Sequence, residues 1–438
     1  MYRSIIYSLF LLLSFGASAQ QSYTLQQCID TALANYIPVK QSALNSEVAD
    51  VNLKQSRMRL LPNLNANVNH GVNSGRSIDP FTNTYVNQSV NTANYGLGSE
   101  IVLFNGLLRQ NTIRQYAFTY DATRMELQQV KDKLILDVIS NYLGVLNAED
   151  KLNVTLKTPE VTKSSIDRLE ILNRQGGIRP SDLSDLRGQY MEEQLDVLDA
   201  KTQLETAKLA LLQLMNKPYD ATLKLERINV EEFMSKYPMT STEVFANALN
   251  QFAYIKAVEL RKKGFQYGVK SAKGNFYPQL TLGADFNTTY SSVAQNAGVK
   301  IPYSNQLKNN RFSTIGLGLR IPIFNGLAAR YDVKRAEILL KNSELVEEST
   351  SQLLHQQIDL AYLEMTRVYE RYKLLLEQVN ALQESFNAAQ VRFNAGVGTS
   401  IDFLTAKVRY DRAVINLLTA KYDFVLSKRI LDYYNGKP

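Results

Sequence analysis

The sequence predicts a mixed α+β membrane protein, an internal tandem repeat whose halves each supply two membrane strands and a very long helical hairpin. Three observations carry this: self-similarity at a nearly constant displacement, two pairs of segments with period-two polarity, and two glycine-poor stretches too long for a globular helix.

The repeat is plain once the chain is laid against itself. Ala32-Leu33 and Lys40 return as Ala248-Leu249 and Lys256, and Leu61-Pro62-Asn63-Leu64 returns as Tyr277-Pro278-Gln279-Leu280, all displaced by 216. Beyond residue 101 the displacement is 220: Ile101 to Gly106 matches Ile321 to Gly326, Gly176 matches Gly396, Asp182 matches Asp402, and Tyr190 matches Tyr410. A single insertion in one surface loop between positions 64 and 101 accounts for the change.

Leu64, Ala66, Val68, His70 and Val72 alternate with Asn65, Asn67, Asn69, Gly71 and Asn73, which describes a strand with one greasy and one wet face. Strands are expected near 63–74, 94–104, 279–291 and 312–324, each of the roughly ten residues that a tilted membrane strand needs. The Asn/Ser-rich stretches between the members of each pair read as exposed loops. Pro62 and Pro278 open the strands, and Gly106 and Gly326 close them.

From Gly106 to Gly176 and from Gly326 to Gly396 the only interior glycine is Gly144. As helix each stretch would reach roughly 100 Å. In the second copy Leu354, Ile358, Ala361, Met365, Val368, Tyr372, Leu375, Val379, Leu382, Phe386, Ala389 and Phe393 alternate steps of four and three, the seam of a coiled coil. Pro159 occupies the first-copy position of Val379 and is expected to kink or interrupt its helix. Helical hairpins are expected over 107–215 and 327–434, turning at Gly176-Gly177 and at Gly396-Val397-Gly398-Thr399. Thr399 with Asp402 forms a capping-box-like helix start, and Pro180 suits the first helical position of the other copy. The expected division is a cleavable signal over 1–19, a first repeat over 20–218, a linker over 219–240 at mid-height, and a second repeat over 241–438.

Composition excludes several classes. The single cysteine, Cys28, permits no intrachain disulfide and reads as a buried helical residue. The net charge of +7 is spread along the chain with no basic block, which argues against a nucleic-acid partner. His70 and His355 are far apart with no ligand spacing around them, and Gly316-x-Gly318 lies in a strand, so neither a metal site nor a dinucleotide site is expected; no cofactor and no catalytic residue is assigned. Four strands cannot close a barrel, so copies must associate; two, three or four copies satisfy the strand count. A periplasmic coiled-coil scaffold or adaptor without a pore is the alternative, and the greasy strand faces count against it.

Leu61-Pro62 and Tyr277-Pro278 at the strand entries, Phe104-Asn105-Gly106 and Phe324-Asn325-Gly326 at the exits, and Arg392-Phe393-x-x-Gly396-x-x-Thr399-Ser400-x-Asp402-Phe403-Leu404-x-Ala406 together resemble the TolC family of outer-membrane efflux proteins over essentially the whole mature length. The resemblance implies a homotrimer in the outer-membrane bilayer, a twelve-stranded barrel continued by a periplasmic α-barrel, and passive export powered by an inner-membrane transporter through a periplasmic adaptor. It also implies a gate of acidic residues at the periplasmic tips. Asp402 matches the family's gate aspartate and Asp182 is its repeat partner, while helix capping explains both acids equally well. Thr405 and Gly398 depart from the second acidic and the basic latch positions of some members, with Arg179 and Asp185 as substitutes in the first copy. Gly176, Gly177, Gly396, Val397, Gly398 and Thr399 are the expected turn and adaptor-contact residues.

Overall fold

Residues 22–78, 83–174, 180–229 and 235–436 are described by a computed structural model of the chain. They divide into two compact units, one of residues 44–125 and 256–349, the other of residues up to 43, 126–255 and from 350 onward. The expected signal, over 1–19, lies outside the described residues.

Each repeat opens on a short amphipathic helix, α1 (Leu25–Asn35) in the first and, later, its counterpart over Ser241–Gln251. Both begin with the same device. Thr24 Oγ1 accepts from Gln27 N at 3.1 Å while Gln27 Oε1 accepts from Thr24 N at 3.0 Å, and Thr240 and Glu243 repeat the exchange at 3.3 and 2.7 Å. Two helical N–H groups are thereby satisfied at each start. Helix α2 (Ile37–Met58) follows and leads into the strands.

The strands form an antiparallel sheet in the order β1-β4-β5-β8: β1 (Asn65–Asn73), β4 (Val90–Phe104), β5 (Gln279–Ser291) and β8 (Phe312–Arg320). Between β1 and β4 lies the ribbon of β2 (Arg76–Ile78) and β3 (Tyr85–Asn87); between β5 and β8 lie the two-residue strands β6 (Gln295–Asn296) and β7 (Val299–Lys300), then the short helix α7 (Tyr303–Asn309). β4 starts at Val90, four residues earlier than the alternation suggested: Val90 and Ala93 are buried and stay in the ladder, opposite Asn73 and opposite His70 and Tyr290. β8 stops at Arg320, short of the expected 324. Pro322 has no N–H to give to a ladder, so the pattern Ile321-x-Ile323 continues in sequence but not as a strand.

At both strand exits the chain turns through two successive left-handed residues, Gly106 and Leu107 (φ 65° and 61°) and Gly326 and Leu327 (φ 63° and 65°). Helix α3 (Leu108–Arg174) leaves the first turn and α8 (Ala328–Asn394) the second, each of 67 residues and therefore about 100 Å long. The expected interruption at Pro159 does not occur, since α3 runs through it unbroken. Pro159 is buried and its helix is packed on either side of it, at Thr155 and Thr162, which offsets the missing hydrogen bond. The return helices are α4 (Pro180–Leu214) and α9 (Ser400–Tyr434), and the second repeat also contains α5 (Ser241–Gln251) and α6 (Ala253–Lys273).

The cores of the helical unit follow the 3.5-residue seam. Leu354, Ile358, Met365 and Val368 of α8 pack with Val244 and Ala248 of α5 and with Phe424 and Leu431 of α9. Leu353, Leu360 and Leu374, off the seam, are exposed. In the first repeat Leu134, Val138 and Leu146 meet Leu211, Met215 and Cys28. Burial raises the Cys28 thiol to about 11, so at neutral pH it stays protonated and serves as packing. Tyr142 ties the linker to this core by donating to Tyr23 O at 3.1 Å or Glu226 O at 2.7 Å, and a parallel bridge joins Tyr23 to Leu225.

Candidate functional site

Register separates the two faces of the sheet without ambiguity. Paired residues of antiparallel strands share a face, so Ala66↔Leu97, Leu97↔Phe286, Leu282↔Leu317 and Ala284↔Ile315 place the apolar set on one side. The other side carries Asn67↔Gly96↔Asn287, Gly98↔Asp285 and Thr281↔Gly318. Glycine is needed there: a Cβ on Gly96 would stand 2.6 Å from Asn287 Oδ1 and 2.7 Å from Asn67 Nδ2, and one on Gly98 would stand 2.8 Å from Asp285 Oδ1. Polar side chains of flanking strands thus lie across the glycines of β4, giving a wet wall with a carboxylate in it. Such a sheet suits a membrane strand with lipid on one side and water on the other. Among the described residues no helix is long and apolar enough to cross a membrane.

The strand-to-helix junctions hold the wall to the helices. Pro62 precedes Asn63, whose N–H donates to Glu100 O at 3.1 Å and whose Oδ1 accepts from Glu100 N at 2.7 Å, so β1 enters pinned to β4. Pro278 follows a three-residue 3-10 turn, Gly274–Phe276. Gly106 packs tightly against this entry, with a hypothetical Cβ at 2.6 Å from Tyr277 Cβ and 2.7 Å from Gly274 O, whereas at Gly326 no atom of the described residues lies within 4 Å of such a Cβ.

The far ends of the long helices form the second part of the site. α8 ends in a Schellman turn: Val397 N donates to Arg392 O at 3.1 Å, Gly396 N donates to Phe393 O at 3.1 Å, and Gly396 takes φ 75°. Gly398 then passes close to the helix end, where a Cβ would stand 3.1 Å from Phe393 N. Thr399 caps α9 by accepting from Asp402 N at 3.1 Å, and its hydroxyl donates to Asp402 Oδ2 at 2.8 Å. The reciprocal side-chain to backbone bond of a full capping box is not made, because Asp402 is one methylene shorter than the Gln27 and Glu243 that make it elsewhere. Asp402 is exposed in the first turn.

The first-repeat acids stand elsewhere. Ser400, only 1% exposed, places its Oγ 2.9 Å from Asp182 Oδ1 and 3.2 Å from Asp185 Oδ2, so one hydroxyl serves two carboxylates at the start of α4. The structure brings Asp182 and Asp185 together through Ser400 and leaves Asp402 with its own cap. Gly176, Gly177 and Arg179 lie outside the described residues. Phe393 and Phe403 stack at 4.8 Å within the second hairpin, and Arg168 of α3 donates to Asn394 O, which joins the two hairpins just behind the tips.

One cluster was not anticipated from sequence. Lys407 Nζ lies 2.8 Å from Glu193 Oε1 and 3.0 Å from Asp411 Oδ2, with the Lys407 and Glu193 side chains both 2% exposed. Thr162 donates to Glu193 Oε1 at 3.0 Å, so α3, α4 and α9 meet on one carboxylate oxygen. Its signal was available: Lys407 stands four residues after Phe403, on the buried face of α9. Among the described residues no group of three or more histidine, cysteine or acidic side chains is placed to hold a metal ion, and His355 instead stacks on Phe245 at 4.3 Å.

Comparison with known proteins agrees with this geometry. The chain is 22% identical to the outer membrane protein TolC of Escherichia coli (strain K12) over 422 residues, covering 95% of this chain and 83% of that one. It is 20% identical to the toxin and drug export protein A of Aggregatibacter actinomycetemcomitans, over 73% of this chain and 68% of that one. The crystal structure of the Campylobacter jejuni CmeC outer membrane channel superposes with a TM-score of 0.82 at 17% identity, covering 94% of this chain and 85% of the other. The fold is that of outer-membrane channels with a strand barrel and a long helical extension into the periplasm. A family model described as outer membrane efflux protein matches residues 28–217 and 244–435, and the chain belongs to that family of outer-membrane efflux channels.

Proposed function

We propose that the chain is the passive outer conduit of a tripartite efflux or type I secretion assembly, in which three copies close one barrel and a periplasmic adaptor joins them to an inner-membrane transporter. The observation that carries this reading is the four-stranded sheet with one greasy face and two edges, β1 and β8, that pair with no other described strand. An open edge cannot face lipid, and three copies give twelve strands around a water-filled lumen. The repeat limits, 20–218 and 241–438 flanking a linker over 219–240, with a signal over 1–19 removed on export, are part of the same proposal. So is the role of Pro62, Gly106, Pro278 and Gly326 as the joints between wall and helices.

The gate is placed at the hairpin tips. Asp182 and Asp185 beside Ser400, and Asp402 in the first turn of α9, are repeated in every copy. Carboxylates crowded around an axis repel one another and draw cations, and Arg179 supplies a counter-charge. The turns Gly176-Gly177 and Gly396-Val397-Gly398-Thr399 present the adaptor contact, with Val397 78% exposed. Planar-bilayer recording tests both parts. The purified wild type should give a small cation-selective conductance, and D182A/D402A should raise it and weaken the cation preference. Unchanged conductance and selectivity would reduce both acids to helix caps, and chemical cross-linking that yields no three-copy species would remove the barrel.

A further inference from the structure

The loop between β5 and β8 does not hang free at the end of the sheet. Its helix α7 is fastened to the greasy side. Tyr303 packs against Tyr290 with ring centres 4.6 Å apart and planes tilted by 56°, and its hydroxyl bonds that of Tyr95. Tyr290 lies on the face of Leu280, Leu282 and Phe286, and Tyr95 shares that face through its pairing with Thr288. Thr288 donates to Leu307 O at 2.9 Å, and Asn310 donates to Thr289 O at 2.8 Å. Gln306, fully buried, holds the loop base by donating to Ser291 O at 3.0 Å and Ile301 O at 2.9 Å while accepting from Ser291 N at 2.9 Å.

This loop closes the end of the sheet opposite the strand-to-helix junctions, so with the helices in the periplasm it stands at the outer surface of the membrane. It is also one-signed. Between Asp285 and Asp332 the sequence contains no acidic residue and five basic ones, and three of them, Lys300, Lys308 and Arg311, fall in the loop. All three are exposed, and none forms an ion pair among the described residues. Arg311 Nε donates to the backbone O of Lys308 at 2.8 Å, which ties the guanidinium to the end of α7 that carries Lys308.

We propose that this corner is a docking surface for the phosphate headgroups of anionic glycolipid in the outer leaflet, with the acyl chains lying along the apolar stripe below Tyr303. A tyrosine belt between apolar stripe and cations is the arrangement a lipid headgroup meets at a membrane interface, and basic side chains at that depth attract anionic lipid. The ordered loop holds the charges in place before the lipid arrives, which lowers the entropy lost on binding. The inference uses the membrane position of the sheet and is independent of the gate and of the number of copies.

The test is retention of diphosphorylated lipid A, presented in nonionic detergent to the purified full-length mature protein. The wild type should retain it, and the fully dephosphorylated lipid should bind at least about 10-fold more weakly. The triple variant K300Q/K308Q/R311Q should lose about 10-fold or more in affinity, while its circular dichroism and channel conductance stay those of the wild type. Inorganic phosphate at millimolar concentration should not compete. Equal retention by wild type and triple variant, or equal retention of the two lipids, would overturn the proposal. Full competition by inorganic phosphate would make the corner an anion site with no lipid preference, which overturns it as well.

Discussion

The two strand-to-helix turns have the same tripeptide, Asn105-Gly106-Leu107 and Asn325-Gly326-Leu327, and the same pair of left-handed residues, yet one is packed and the other open. Gly106 is enclosed by Gly274 and Tyr277 at the entry of the next strand, and among the described residues nothing occupies the equivalent space at Gly326. Local sequence therefore sets the turn, and a neighbouring strand entry sets its packing. Under the repeat displacement of 216, Gly274 and Tyr277 correspond to Met58 and Leu61, which are 58% exposed each. If three copies close one barrel as proposed, Met58 to Leu61 of a neighbouring copy is the segment that would fill the space at Gly326. The most damaging test of the packed turn is G106V. It adds left-handed strain of about 1–2 kcal/mol to a clash with a backbone carbonyl, and overpacking adds about 1–3 kcal/mol more. Denaturant melts in detergent should show loss of the folded sheet; retention of wild-type stability would mean that the turn yields to admit a side chain at position 106.

Charge pairs differ between the repeats in the same way. Lys407 lies at the displacement of 220 from Arg187, which pairs with Glu170 at 2.8 Å with side chains 59% and 37% exposed. Lys407 and Glu193 form their pair at the same distance, but fully buried. Removing one partner of a buried pair costs about 3–5 kcal/mol, because the other charge is stranded, and Glu193 Oε2 has no hydrogen-bond partner among the described residues. K407M should therefore lower the thermal midpoint far more than any substitution at Arg187. Adding E193L to K407M should recover much of the loss, as a well-packed apolar pair avoids desolvation; a double variant no better than the single would argue against a stranded charge.

The open turn gives a smaller and more informative effect. G326A has room for its methyl group, so the isolated chain should lose only the left-handed strain of about 1–2 kcal/mol. If another copy fills that space, G326A should also shift the subunit association equilibrium, read by sedimentation in detergent, by more than this strain explains. An association constant indistinguishable from wild type would leave the turn open in the assembly too.

These contrasts mark where sequence reading succeeds. The repeat, the two strand faces and the coiled-coil seam were legible because each follows a period, of two or of 3.5, imposed by burial on one side. Leu354, Ile358, Met365 and Val368 are buried as the seam requires. Features that break a period through a distant contact were not legible. Pro159 reads as a break because local rules count one lost hydrogen bond, whereas the helix is held by packing along its length. At the tips, sequence paired Asp182 with Asp402 by repeat position, while Ser400, unremarkable as the residue after a cap, joins Asp182 to Asp185 instead. Long-range partners such as Glu193 and Lys407 are 214 residues apart and leave no local pattern beyond a lysine on an apolar face.

The smallest expected effect sharpens the contrast between the two charge pairs from the exposed side. R187A removes a partner that water can replace at Glu170, so it should change stability by less than about 1 kcal/mol, and that change should shrink as salt is raised. The K407M deficit should be nearly insensitive to the same salt series, since ions cannot screen a pair that solvent does not reach. Parallel thermal melts at low and high salt separate the cases. A salt-sensitive K407M deficit would mean that water penetrates to Glu193, and that the cluster joining α3, α4 and α9 is solvated rather than sealed.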